Sequence, residues 1–205
     1  SYPPIVPGSQ DWYSDESFSD RIPVVVDDTE VGNDLFDFPI YVDLSTLGSD
    51  FWDGVLTSGA DIRVTEGDGQ TELPYDLVEI DSVAETGELH FLSNSVSSSA
   101  TTTFYIYHNN ATATAYASDD PYGSEAVWSG YEAVYHFNDD PTTIGNTIVD
   151  HTGKGKDLLV EVAALATTTG QLGTALDLSG SGILRDSDYT WTAGDRLTTS
   201  GWYFM

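Results

Sequence analysis

From Arg21 to Tyr107, apolar and polar positions alternate in short runs, each bounded by Gly, Pro, Asp or Ser. Arg21-Ile-Pro-Val-Val-Val26 is β-branched, and Pro23 suits an edge strand because it cannot donate to a ladder. From Ile40 the stretch Phe38–Leu44 alternates cleanly, and so does Asp61–Thr65. Gly67-Asp-Gly69 then supplies a hairpin turn before a return strand over Leu73–Ile80. Leu89–Leu92 and Thr101–Tyr107 complete the set, divided by the Ser-rich turn Ser93–Ser99. No segment repeats its apolar residues at 3.6 positions over three turns, so the pattern predicts an all-β chain. The expected architecture is two antiparallel β-sandwich domains, jelly-roll-like, the second incomplete.

Residues 1–20 hold Pro3, Pro4, Pro7 and Gly8 among Ser and Asp, which suits an extended arm. A first sandwich covers 21–108, and the small polar stretch 109–127 reads as a linker. A second domain covers 128–205, where 78 residues are too few for a jelly roll at about 8–12 residues per strand and turn. Its completion is expected from chain beyond Met205 or from strand addition by another chain. The start at Ser1-Tyr-Pro-Pro and the lone Met at position 205 suggest a processed chain or a fragment.

Charge narrows the partners. There are 34 acidic residues against 6 basic ones, a net charge of −28. Phosphate backbones bind clustered Lys and Arg, so nucleic acid is not an expected partner, and anionic membrane surfaces are disfavoured on the same ground. High ambient salt or bound divalent cations would make such self-repulsion tolerable. Cysteine is absent, which removes disulfides and thiol chemistry. No apolar run reaches the 18 or so residues of a membrane span, so insertion is not expected.

Two ordered sets of motifs carry family resemblances. Trp12, Arg21-Ile-Pro, Asp37-Phe-Pro-Ile-Tyr-Val42, Gly59-Ala-Asp-Ile-Arg-Val-Thr65, Gly67-Asp-Gly69, Leu73-Pro-Tyr75 and Phe104-Tyr-Ile-Tyr107 together resemble the DUF2341 family. That resemblance implies a microbial surface module of undetermined activity; the family's Tyr-Gly-Asn is replaced here by His108-Asn-Asn110. Downstream, Trp128, Tyr131–Asn138, Asp150–Asp157, Gly173–Gly180 and Thr199–Phe204 follow in an order similar to a laminin-G-type, concanavalin A-like lectin jelly roll. The second resemblance implies carbohydrate binding and a structural calcium ion.

Glu79-Ile-Asp81 sets two carboxylates on one strand face, as sandwich glycoside hydrolases do. The third acid of that pattern is missing, since Glu85 comes one residue late, and a solvated strand face explains both groups. His90, His108, His136 and His151 show no paired ligand spacing, and His136 reads as a core or junction residue. For calcium, Asp139, Asp150 and Asp177 are the candidate ligands, with Gly153 and Gly155 shaping the loop and Lys154 and Lys156 opposing it. For a sugar, Tyr189 and Trp191 share a strand face beside Asp188 and form the candidate platform. Asn110-Ala-Thr112 fits a glycosylation acceptor, which is compatible with an exposed position.

The expectation is therefore a non-enzymatic protein on an extracellular, cell or virion surface. Its expected partners are glycans or neighbouring protein subunits, in adhesion or recognition within a larger assembly. A structural subunit of a filament, appendage or virion is the alternative, and a fragment of a polysaccharide-degrading enzyme a weaker one.

Overall fold

The computed structural model describes residues 17–162, 165–170, 174–177 and 182–185. The chain divides into two compact units, Ser1–Gly130 and Tyr131–Met205. The strands pair antiparallel throughout and the helices are single turns, so the fold is all-β. Among the described residues no helix is long and apolar enough to cross a membrane.

In the first unit the strands are β1 (Asp20–Val26), β2 (Leu35–Asp43), β3 (Arg63–Glu66), β4 (Glu72–Leu73), β5 (Tyr75–Asp81), β6 (Thr86–Val96) and β7 (Thr102–His108). They form a four-stranded sheet in the order β1-β7-β3-β4 and a three-stranded sheet in the order β2-β6-β5. Pro23 lies in β1 and Pro39 in β2, both at sheet edges, where a missing N–H breaks no ladder. The predicted hairpin joins β3 to β4, with the Gly69 N–H bonded to the Glu66 carbonyl and Asp68 accepting from the Gln70 and Thr71 amides.

Alternation decides which residues enter the space between the sheets. Ile22, Val64, Phe104 and Ile106 come from one sheet; Val42, Leu89 and Phe91 come from the other. Phe91 and Phe104 meet edge to face across the core, 4.9 Å between centroids. Each such ring, fully removed from water, contributes roughly 2–3 kcal/mol by its area, and more through its packing geometry. The core is closed at one end by α1 (Ser49–Trp52), whose Phe51 and Trp52 are buried against each other.

Residues 109–127, expected as a linker, pack against the first sandwich, and the unit extends to Gly130. The cause is Arg63. Strand alternation turns it to the opposite side from Ile62 and Val64, yet its side chain is almost wholly buried. Its guanidinium donates to the carbonyls of Ala60, Ile62 and Thr114 and to the Tyr75 hydroxyl, at 2.6–3.3 Å. The Tyr116 ring covers it at 4.1 Å, and the Tyr116 hydroxyl donates to Glu72, itself 3.8 Å from Arg63 Nε. A buried cation requires this degree of satisfaction, so the 109–123 segment is held down by it. The single-turn helix α2 (Ser124–Val127) follows, and Trp128 donates its indole N–H to Asp76 at 2.7 Å.

In the second unit, β8 (Thr147–Ile148), β9 (Leu158–Val162) and β12 (Ile183–Arg185) form one sheet, and β10 (Ala166–Thr169) with β11 (Thr174–Asp177) form a hairpin. Ile148, Val160 and Leu165 are its buried apolar residues among those described. Residues 131–138, part of the laminin-G-type resemblance and so expected in a jelly-roll strand, are not in a ladder. Phe137 takes a positive φ of 58°, which breaks strand geometry, and the segment is tied instead by Val134 to Asp150 and His151.

Candidate functional site

The first unit carries a cleft of about 300 Å³ lined by Ser58, Tyr75, Asp76, Tyr116, Ser118 and Ser124, with Gly59, Gly123 and Leu77 completing its wall. That volume is at the lower end for small-molecule sites. Tyr116 enters it as a fixed ring, since Arg63 covers the ring and Glu72 holds its hydroxyl. Tyr75 contributes a buried phenol whose ionisation is pushed up to about 12, mainly by burial, against the pull of the Arg63 charge. Asp76 is buried in the wall and bound by Trp128. Ser118 donates to Glu125 at 2.9 Å, and the Glu125 amide donates back to the Ser118 carbonyl.

Gly123 has a steric reason to be there. A Cβ at this position would stand 2.1 Å from the Ala117 carbonyl oxygen and 2.7 Å from that of Ser118. Only a residue without one allows the 117–118 segment of the wall to approach α2 this closely.

Beside the cleft, the register of the β2-β6-β5 sheet sets Tyr41 and Asp76 on either side of His90. The imidazole lies 5.4 Å from the Tyr41 ring and 5.2 Å from the Trp128 ring, and its Nε2 is 2.8 Å from Glu88. Burial, with Asp43 and Glu88 nearby, raises the Tyr41 phenol.

The Glu79 and Asp81 carboxylates occupy a solvated strand end. Asp81 accepts from the Val83 and Ala84 amides, and these bonds hold its carboxyl below the usual range. Asn110, in the glycosylation-like triplet, is buried, and its side-chain oxygen accepts from the Thr112 amide and hydroxyl.

His108 is buried with both ring nitrogens lacking hydrogen-bond partners among the described residues, and its ring edge meets Phe51 at 5.2 Å. Burial holds it below the ordinary imidazole range, opposed by Asp20, Asp61 and Asp50.

In the second unit the Asp150 loop is organised around one carboxylate. Asp150 accepts from the amides of Val134, Thr152 and Lys156 and from the Thr152 hydroxyl, at 2.7–3.1 Å, while its own amide donates to Asp157. Burial would raise its carboxyl, but the bonds from Thr152, Val134 and Lys156 together hold it below the ordinary range. Gly153 and Gly155 both take positive φ, 72° and 68°, which matches the turn role expected for them. Lys154 donates to the Tyr131 carbonyl.

Of the calcium candidates, Asp139 accepts from the Val149 amide at 3.0 Å, Asp150 holds the loop, and Asp177 ends β11. These three carboxylates do not converge as one group of ligand atoms. The sugar-platform residues Tyr189, Trp191 and Asp188 lie outside the described residues.

The loop does bring together two residues that spacing gave no reason to pair. The His151 amide donates to the Val134 carbonyl at 2.9 Å, and this clamp sets the His136 and His151 rings edge to face, 4.3 Å between centroids. Fifteen residues apart in a loop-to-loop contact, they carry no periodic signal.

Comparison with curated proteins and with solved structures gives no match. Residues 58–149, from the turn before β3 through β8, match the family described as a domain of unknown function, DUF2341.

Proposed function

We propose that the chain is a non-enzymatic recognition module of an extracellular or cell-surface assembly, and that the first unit binds a neutral glycan in its cleft. The cleft itself carries this reading: a fixed Tyr116 ring, three serines and a carboxylate around about 300 Å³. A pyranose offers an apolar C–H face and a rim of hydroxyls. An aromatic ring takes the first, and hydroxyl and carboxylate groups take the second. A net charge of −28 favours a neutral sugar over an acidic one. In the same reading the second unit is the start of a laminin-G-like jelly roll, with Tyr189 and Trp191 as a further aromatic platform and calcium as its structural ion.

The test is a glycan array probed with the full chain and with Ser58→Trp. Ser58 is exposed on the rim, so the indole fills the cleft without entering the core. Binding to defined neutral glycans that the variant loses is the expected result. A blank array, or equal binding by the variant, refutes the assignment.

A structural role has its own support in β2. This edge strand exposes Phe36 at 69% and Phe38 at 42%, an apolar edge suited to strand addition by a neighbouring subunit. Concentration-dependent association in sedimentation that Phe36→Ser with Phe38→Ser abolishes favours this second reading; a monomer at all concentrations removes it.

A further inference from the structure

We propose that His136 and His151 form a binding site for a borderline transition-metal ion, with Zn²⁺ as the probe. The two half-buried imidazoles present one ring nitrogen each within 4.8 Å of the other. With Zn–N bonds of about 2.0–2.1 Å, tetrahedral coordination requires nitrogens roughly 3.4 Å apart. A small ring rotation about the side-chain torsions covers the difference, with no movement of the backbone clamp.

That clamp makes the pair a built feature. Val134 is held on both sides by the loop: its carbonyl accepts from the His151 amide, and its amide donates to Asp150. Tyr135, between Val134 and His136, donates its hydroxyl to the Lys156 carbonyl at 2.5 Å and stacks against Phe137. Both ligand-bearing backbones are thereby fixed before an ion arrives, so little ordering entropy opposes binding.

The electrostatics agree. Asp150 directly precedes His151 in the chain and adds a carboxylate nearby, while Lys154 directs its ammonium to the Tyr131 carbonyl. Imidazole donors select Zn²⁺, Ni²⁺ or Cu²⁺ over Ca²⁺ and Mg²⁺, which prefer oxygen. The two histidines supply half of a tetrahedral shell, and water or a donor from a bound partner supplies the remainder.

The experiment is calorimetric titration of the full chain with ZnCl₂ in excess Ca²⁺, which occupies the carboxylates of so acidic a protein. One ion per chain is expected to bind, and His136→Gln or His151→Gln should each weaken it by at least about tenfold. A second measurement avoids any doubt about folding of the variants. Long-range ¹H–¹⁵N spectra of the native chain should show Zn²⁺ shifting the ring nitrogens of both His136 and His151. Zn²⁺ fully displaced by Ca²⁺, unchanged affinity in either variant, or ring shifts that leave either His136 or His151 unmoved overturns the proposal. The glycan titration and the Zn²⁺ titration read different ligands, so the two tests fail separately.

Discussion

Replacing Arg63 with methionine should be the most costly single change in the first unit. Methionine keeps much of the stem volume and removes the charge, so the loss reports the polar network. Four acceptors at 2.6–3.3 Å lose their donor: the carbonyls of Ala60, Ile62 and Thr114, and the Tyr75 hydroxyl. Glu72, nearly buried and 3.8 Å from Nε, keeps the Tyr116 hydroxyl as a donor but loses the Arg63 charge beside it. Each hydrogen bond to a charged group contributes about 1.5–3 kcal/mol, but such bonds are not additive. Breaking a buried pair by removing one partner costs about 3–5 kcal/mol, and that is the expected loss. Urea unfolding followed by tryptophan fluorescence measures it. Hydrogen exchange locates it, because Thr114 and Tyr116 lose their anchor and the amides of 113–118 should exchange faster than those of β6. A loss below about 1 kcal/mol with unchanged exchange there would refute the claim that Arg63 holds the segment down. Glu72→Gln in the Arg63→Met background should then cost less than it does alone, since the stranded carboxylate is neutralised.

Further outcomes follow from the same structure. Tyr75 should make the first unit sensitive to alkali. Its phenol ionises near 12 when folded against an ordinary 10.0, so its contribution is full below pH 10 and is lost as pH rises toward 12. The loss is about 2–3 kcal/mol, and Tyr75→Phe should flatten that limb of a stability-against-pH curve. His108 is held neutral by burial, so its stabilising effect fades as pH falls below the ordinary imidazole value near 6.5. His108→Phe should remove that acid slope and leave stability at neutral pH equal or higher, measured by denaturant midpoints across pH. Asp150→Ala should destabilise the second unit by about 2–4 kcal/mol, because the amides of Val134, Thr152 and Lys156 lose their acceptor; native-state exchange at those amides reads it. Gly123→Ala should disorder the cleft wall, seen as loss of protection at Glu125, whose amide bonds to Ser118.

Strands and turns were legible because they are local. β1, β3 and β7 fall within two residues of the alternating runs that predict them, and the Gly67–Gly69 turn needs only its own residues. Two features were not local. Nothing in the alternation Ile62-Arg-Val64 marks Arg63 as buried, because part of its cover comes from Thr114 and Tyr116, far downstream. The same contact turned an apparent linker of Ala and Thr into part of a domain. His136 and His151 likewise meet through a loop clamp, and no hydrophobic period marks such a contact. The helices α1 and α2, each of four residues, are too short for any 3.6-residue period to register. Asp150 shows the converse: its role in fixing Gly153-Lys-Gly155 follows directly from Asp and Gly turn chemistry.

The central claim is that the cleft between Tyr75, Tyr116 and Ser124 is where the first unit recognises its ligand. Amide ¹H–¹⁵N spectra of the full chain, titrated with the neutral oligosaccharide that scores highest on the array, test it most directly. The account predicts shifts concentrated at Ser58, Gly59, Tyr116, Ser118 and Gly123, saturating together with one affinity. Shifts centred on Tyr189 and Trp191, with those five amides unmoved, would contradict it.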